Sequence, residues 1–248
     1  MNTTLLKAQR WLATRTMRRD LALNREAGVV SFSFDDAPHS ACDAGRTVLE
    51  KSDCYGTWYI AGGLTDQLEQ GRMCHSVRDV LDLARSGHHI GCHTYSHRPC
   101  DRLSHSDMAV ELARNKTFFE SIGIATADLH FSFPLGAFHL GSKRLAAQTF
   151  RTSRITGGGV QVGHADLNAL RSERLYQRVM TPERLKQLTH QVALTKGWLI
   201  FYTHDVEASP SQWGCTPNLL DSAVKTALDM GCKVLPVDQA VKYWLNRE

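Results

Sequence analysis

The 248-residue sequence has no apolar run near the ~18 residues of a membrane-spanning helix. Its basic start lacks a continuous apolar stretch and a small-residue cleavage site, so a cytoplasmic chain is expected. Seven cysteines are present, but no two form a CxxC pair and zinc-finger spacing is absent. An odd count at irregular spacing points to reduced thiols. No internal repeat and no low-complexity linker occurs. Excess charge is also missing from most of the chain. The net charge is +4, and residues 1–24 carry it, with Lys7, Arg10, Arg15, Arg18 and Arg19 against Asp20 alone. The remainder is balanced and leaves no basic stripe for nucleic acid.

What is present is an ordinary globular composition, 42% hydrophobic and 22% charged, with a mean hydropathy of −0.29. Short β-rich runs are predicted at 29–34, 57–60, 89–92, 129–133, 152–156, 199–203 and 233–235. Helical patterns are predicted near 41–51, 75–86, 104–121, 141–149, 181–195, 217–230 and 237–246. Ser104 with Asp107 resembles a capping box, and Thr181-Pro182-Glu183 reads as a helix start. The alternating order predicts a mainly parallel sheet with helices outside it. Residues 157–172, opening on three glycines, are the least structured stretch, either a functional loop or a plain surface excursion.

Three segments fall just after predicted strands, where α/β barrels collect their catalytic residues. Ser33-Phe34-Asp35-Asp36-Ala37-Pro38 holds adjacent carboxylates that repel unless a cation or hydrogen bonds hold them. Neighbours in an extended segment point opposite ways, so one Asp can reach a metal while the other faces elsewhere. In isolation such a pair is more often a solvated turn. His93-Thr94-Tyr95-Ser96-His97 places two imidazoles on one face if the segment is helical, and two imidazoles with a carboxylate make a usual catalytic zinc set. The same histidines also read as surface or cap residues in a His-rich region. Tyr202-Thr203-His204 leaves an apolar run, where a His suits acid–base work or simply closes a core edge.

Together the segments resemble the polysaccharide deacetylase family, the NodB-homology domain of carbohydrate esterases. The family's T-F-D-D-G-P motif corresponds to Ser33–Pro38, its H-S/T-x-x-H motif to His93–His97, and its L-x-H motif to Tyr202–His204. The resemblance spans about residues 28–240. It implies a single-domain, distorted (β/α)7 barrel of the α/β class, matching the seven predicted strands. It implies Asp36, His93 and His97 as ligands of one divalent metal, zinc by preference. Asp35 would be the general base and His204 the general acid. Pro134, Leu135, Gly136 and Tyr202 would line the substrate site, with the Leu135 N–H facing the oxyanion. The implied activity is hydrolysis of the N-acetyl group of an amino sugar in a cytosolic oligosaccharide, nucleotide sugar or lipid-linked precursor. A non-sugar amide or formamide hydrolase and a non-catalytic carbohydrate-binding relative are the alternatives.

Three departures stand out. Ser132 and Leu135 replace the Arg and Tyr of an R-P-P-Y-G motif, so Arg151 or Arg154 is expected to reach the base from the next strand. A D-x-x-D-W motif is absent, and Asp166 or Asp205 is expected to orient His204. Tyr202 replaces a Leu of the acetyl pocket. The chain divides into a basic amphipathic arm, 1–24, and a catalytic domain, 25–248. Residues 3–23 are predicted as one helix, which either closes the barrel bottom, meets a second subunit or lies on the inner face of an anionic membrane.

Overall fold

A computed structural model describes residue 11 and residues 13–245. In chain order its elements are β1 (Asp20–Ala22), β2 (Val29–Asp35), α1 (Arg46–Glu50, continuing a π turn over Ala41–Gly45), β3 (Thr57–Ile60), β4 (Leu68–Glu69), β5 (Arg72–Met73), α2 (Val77–Arg85), β6 (His89–Cys92), α3 (His105–Ser121), β7 (Phe131–Ser132), α4 (Leu140–Thr149), β8 (Ser153–Thr156), β9 (His164–Asp166), β10 (Leu170–Arg174), α5 (Pro182–Thr195), β11 (Trp198–Thr203), α6 (Pro217–Asp229), β12 (Lys233–Val234) and α7 (Val237–Leu245).

Strands β2, β3, β6, β7, β8, β10 and β11 pair in parallel, and β11 pairs back onto β2 from Trp198↔Val29 to Thr203↔Phe34. The ring is thus a closed seven-stranded α/β barrel. Seven strands were expected, but their membership differs. The expected strand at 233–235 is β12, which adds to β2 outside the ring at Val29 and Val30. Its place is taken by β10, which lies at the end of the stretch expected to be loop. That strand, LRSER, buries only Leu170 and Ser172 and exposes Arg171 and Arg174, so it carries no apolar run to announce it. Strand β9 also falls within the expected loop.

Strand β2 (VVSFSFD) is buried at every position, as suits a parallel strand covered on both faces. Val30, Phe32 and Phe34 join a layer with Leu185, Leu188 and Val192 of α5 and Leu220 and Val224 of α6. The alternate residues face the barrel interior, where Val29 packs with Leu170, Trp198, Ile200 and α7. Above them Ser31 accepts a 3.0 Å hydrogen bond from Trp198 Nε1, and Ser33 donates one of 2.8 Å to Phe201 O. Asp35 ends that column at the carboxyl end of the ring. Helix starts follow the local signals: Ser104 and Thr181 cap α3 and α5 by accepting from the N–H of Asp107 and Arg184.

The N-terminal segment departs from its expected helix. Helical backbone occurs at 13–15, but residues 20–22 form β1, antiparallel to β9. Asp20–Ala22 reads exposed, buried, exposed, the period of a strand. Leu21 and Leu23 close the lower barrel core with Ala165, Leu167 and Trp244. The rest of the expected helix, residues 3–10 and residue 12, lies outside the described residues. Among the described residues no helix is long and apolar enough to cross a membrane.

Candidate active site

At the end of β2 the chain turns sharply. Asp36 and Ala37 take φ of 61° and 47°, so Asp35 stays in the barrel while Asp36 faces the cleft. The fully buried His75 holds this turn. Its N–H donates to Ala37 O at 3.0 Å and its Nδ1 lies 3.0 Å from Asp36 O. Burial pushes the His75 pKa down, so the ring is neutral and Nδ1–H donates.

The histidine pair reaches Asp36 by a different route from the expected helical face. Residues 93–97 form a bend, with φ of 61° at Thr94 and 53° at His97. Glu111 of α3, itself buried, holds the bend: it accepts the N–H groups of Tyr95 (3.2 Å) and Ser96 (2.7 Å) and the Ser96 hydroxyl (3.0 Å). His93 Nδ1 lies 2.7 Å from Ser132 O, which fixes that nitrogen as donor and leaves Nε2 bare toward Asp36. Burial pushes His93 down to about 4, against the pull of Asp35 and Asp36. The nitrogens His97 Nε2 and His93 Nε2 lie 3.1 and 3.7 Å from Asp36 Oδ1. That oxygen is buried and makes no hydrogen bond. One ligand atom from each of Asp36, His93 and His97 falls within 4.8 Å of the others. A buried, orphaned carboxylate oxygen facing two imidazole nitrogens fits a divalent cation. Glu69 Oε1, 3.4 Å from His97 Nδ1, is placed to orient that ring from behind.

Asp35 meets a buried arginine. Arg154 Nη2 donates to Asp35 Oδ1 at 2.6 Å, and also to Asp35 Oδ2 and Ser132 Oγ; its Nη1 donates to Ser172 Oγ at 2.6 Å. The guanidinium lies 5.2 Å from the Tyr59 ring centroid and 4.8 Å from that of Tyr202. Burial pushes the Asp35 carboxyl up, but Arg154, with His93 and His204, holds it below the usual carboxylate range. Across the cleft His204 follows β11, with Nε2 3.9 Å from Asp36 Oδ2 and Nδ1 3.2 Å from Trp213 O. The arrangement therefore combines a candidate three-ligand cation site, an ionised buried carboxylate and an imidazole.

Residues 22–151, just over half of the chain, match the family described as Polysaccharide deacetylase. The chain belongs to the polysaccharide deacetylase family. A chitin deacetylase of Colletotrichum lindemuthianum is 27% identical over 82 residues, covering 33% of this chain and 32% of that protein, so the match spans about a third of that curated relative. The fold is shared with the Bc1960 peptidoglycan N-acetylglucosamine deacetylase (TM-score 0.62, 14% identity, covering 89% of this chain and 90% of that one). It is shared also with BA3943, a CE4 family pseudoenzyme from Bacillus anthracis (TM-score 0.56, 13% identity, covering 87% of this chain and 66% of that one).

Against the family pattern, the arginine has changed strand. Ser132 and Arg154 are direct partners across β7 and β8, so a small residue stands in the motif position and the guanidinium reaches over it to Asp35. Arg151, the other expected candidate, pairs instead with Asp128 at the surface, 2.6 Å away. The expected orienting groups for His204 are corrected. Asp166 lies at the opposite end of the barrel with Lys143 (2.8 Å), and Asp205 accepts the N–H and hydroxyl of Ser211 at 2.6 and 2.5 Å. The Trp213 carbonyl takes their place.

At 134–136, Pro134 and Gly136 are buried, whereas the Leu135 side chain is 62% exposed on a backbone with φ 58°. Gly136 also has positive φ, and a Cβ there would run into the Thr156 side chain. Tyr202 packs edge-on against Tyr176, ring centroids 5.4 Å apart, and burial pushes both phenols up. Sequence reasoning missed His75, Glu111, Ser172 and Trp213. For Glu111 alone a signal exists, a charged residue on the buried face of a predicted helix.

Proposed function

We propose that this protein is a metal-dependent amidohydrolase that removes the N-acetyl group from an amino sugar. The observation that carries the reading is the orphaned Asp36 oxygen facing His93 and His97, with Asp35 and His204 flanking it. A divalent cation held there, zinc by preference, would polarise the acyl oxygen and lower the pKa of the attacking water. Asp35 takes a proton from that water, and Arg154 keeps the carboxylate ionised and aimed. The His204 ring, its Nδ1–H directed to Trp213 O, delivers a proton from Nε2 to the departing amine. The Leu135 N–H faces the developing oxyanion, and Pro134, Gly136 and Tyr202 bound the acyl pocket. The substrate is an acetylated oligosaccharide, nucleotide sugar or lipid-linked precursor. The seven buried free thiols support placing it in a reducing, cytosolic compartment.

Metal content and acetate release across a panel of acetylated sugars test the reading. His93→Ala is expected to lose the ion, and Asp35→Asn to keep it but lose turnover. Equal metal occupancy in the wild type and His93→Ala overturns the ligand set. Metal uptake without acetate release from any sugar or simple amide favours a carbohydrate-binding relative.

A further inference from the structure

A second polar cavity opens beside the site on the same face of the barrel. It encloses about 660 Å³ between the ends of β8, β10 and β11. Its wall shares Ser172 and Tyr202 with the surroundings of Arg154, so one guanidinium separates it from Asp35. The volume lies in the range of small-molecule sites and admits a sugar residue with a charged substituent.

The glycine run singled out in the sequence forms part of this wall. Gly157, Gly158 and Gly159 all have positive φ (156°, 68° and 80°), and backbone lines the cavity there. Glu173 braces the run by accepting the Gly159 N–H at 3.0 Å, and it lies 3.4 Å from Arg184 Nη2. Its carboxylate is thus committed to the wall. Two guanidiniums lie on the rim, Arg184, which pairs with Glu173, and Arg174. The Arg174 side chain has no hydrogen-bond or ion-pair partner among the described residues, although its backbone N–H reaches Glu173 Oε1 at 3.3 Å. One carboxylate against two guanidiniums leaves the cavity electropositive in a body otherwise balanced in charge. Guanidiniums favour planar anionic oxygens, which they bind bidentately.

We propose that this cavity is the subsite for an anionic group of the substrate, a phosphate or a sugar carboxylate carried on or next to the acetylated residue. The assignment rests on the amidohydrolase reading of the neighbouring centre and narrows it to acidic saccharides. Arg174 and Arg184 bind the anion, and the glycine run lets it approach the backbone.

Acetate release by the metal-loaded protein is compared on N-acetylglucosamine 1-phosphate, an N-acetylglucosamine–glucuronic acid disaccharide and neutral diacetylchitobiose. At low salt, kcat/KM is expected to favour a charged substrate by about tenfold or more, and the arm that shows it separates phosphate from carboxylate. The double variant Arg174→Gln/Arg184→Gln is expected to collapse that ratio toward one, chiefly through KM. Equal kcat/KM on all three substrates, or equal losses on charged and neutral ones in the variant, overturns the subsite. If no substrate releases acetate, the amidohydrolase reading fails, and calorimetry with the same two charged sugars decides the subsite separately. Binding that the double variant weakens about tenfold supports it; absent binding, or binding that the variant leaves unchanged, overturns it.

Discussion

The barrel contains a buried carboxylate–cation pair at each end, and the two are built differently. At the lower end Lys143 Nζ donates to Asp166 Oδ2 (2.8 Å) and to the carbonyls of Ala13 and Thr16 (2.9 Å each). Asp166 Oδ1 accepts the N–H groups of Arg19 and Asn168. All three ammonium donors are thus used, and every partner lies in the N-terminal segment or at the end of β9. At the upper end Arg154 grips Asp35, yet Arg154 Nε and the neighbouring Asp36 Oδ1 have no hydrogen-bond partner. A saturated pair fixes a chain segment in place, whereas unsatisfied polar groups held rigidly in a cleft are what a ligand completes. The same chemistry is therefore saturated at one end and left open at the other.

The sharpest way to break this contrast is Arg154→Met. It leaves Asp35 buried without its cation, so the carboxyl rises and the acid limb of the pH–rate profile moves to higher pH. Turnover is expected to fall by about 10²–10⁴, the range for loss of a working general base. Unfolding stability falls too, since breaking one partner of a buried pair costs about 3–5 kcal/mol. The double variant Asp35→Asn/Arg154→Met is expected to recover stability in denaturant titrations while remaining inactive. If it regains turnover, Asp35 is not the base.

Lys143→Met probes the other end. A stability loss of about 3–5 kcal/mol is expected, with metal uptake and turnover per folded molecule unchanged. A specific loss of turnover in the folded fraction means that the two ends are coupled. Deleting residues 1–24 removes β1 and two of the three Lys143 acceptors, so the same direction of effect is expected in thermal unfolding.

Glu111→Gln is expected to act more gently and only at the top. It keeps an acceptor but loses the charge that gathers the Tyr95 and Ser96 N–H groups, and a metal affinity about 10–100-fold weaker is expected by competition with a chelator. Unchanged affinity would show that the bend holds itself.

The smallest effect concerns pH at the lower end. His88 Nδ1 accepts the Gly56 N–H at 3.1 Å, and burial pushes this ring from 6.5 to about 4. Burial also lowers His89 and His130. Each is neutral when folded and takes up a proton on unfolding below its free value. The unfolded state then binds more protons, so stability is full above about pH 6.5 and declines as pH falls toward 4. Urea midpoints at pH 7 and 4.5 measure the drop, and His88→Gln should lessen it, with His75, His89, His93 and His130 supplying the rest. A midpoint independent of pH over that interval contradicts neutral burial.

Much of this molecule was legible in its sequence, because the signals are local. Short β-rich runs marked six of the seven ring strands, caps and periodicity marked the helices, and Asp35–Asp36, His93–His97 and His204 stood at strand ends. Such features depend only on neighbours along the chain. The tertiary structure decided what depends on register between strands and on which face a residue takes. It chose Arg154 over Arg151, because position 154 lies opposite Ser132 and faces the barrel, whereas Arg151 faces solvent. It gave His204 the Trp213 carbonyl, a backbone group that residue type does not reveal. It admitted β10, whose polar sequence hides a strand paired on both edges. It turned Asp20–Ala22 into a strand, because β9 offered an antiparallel edge that no local pattern foretells.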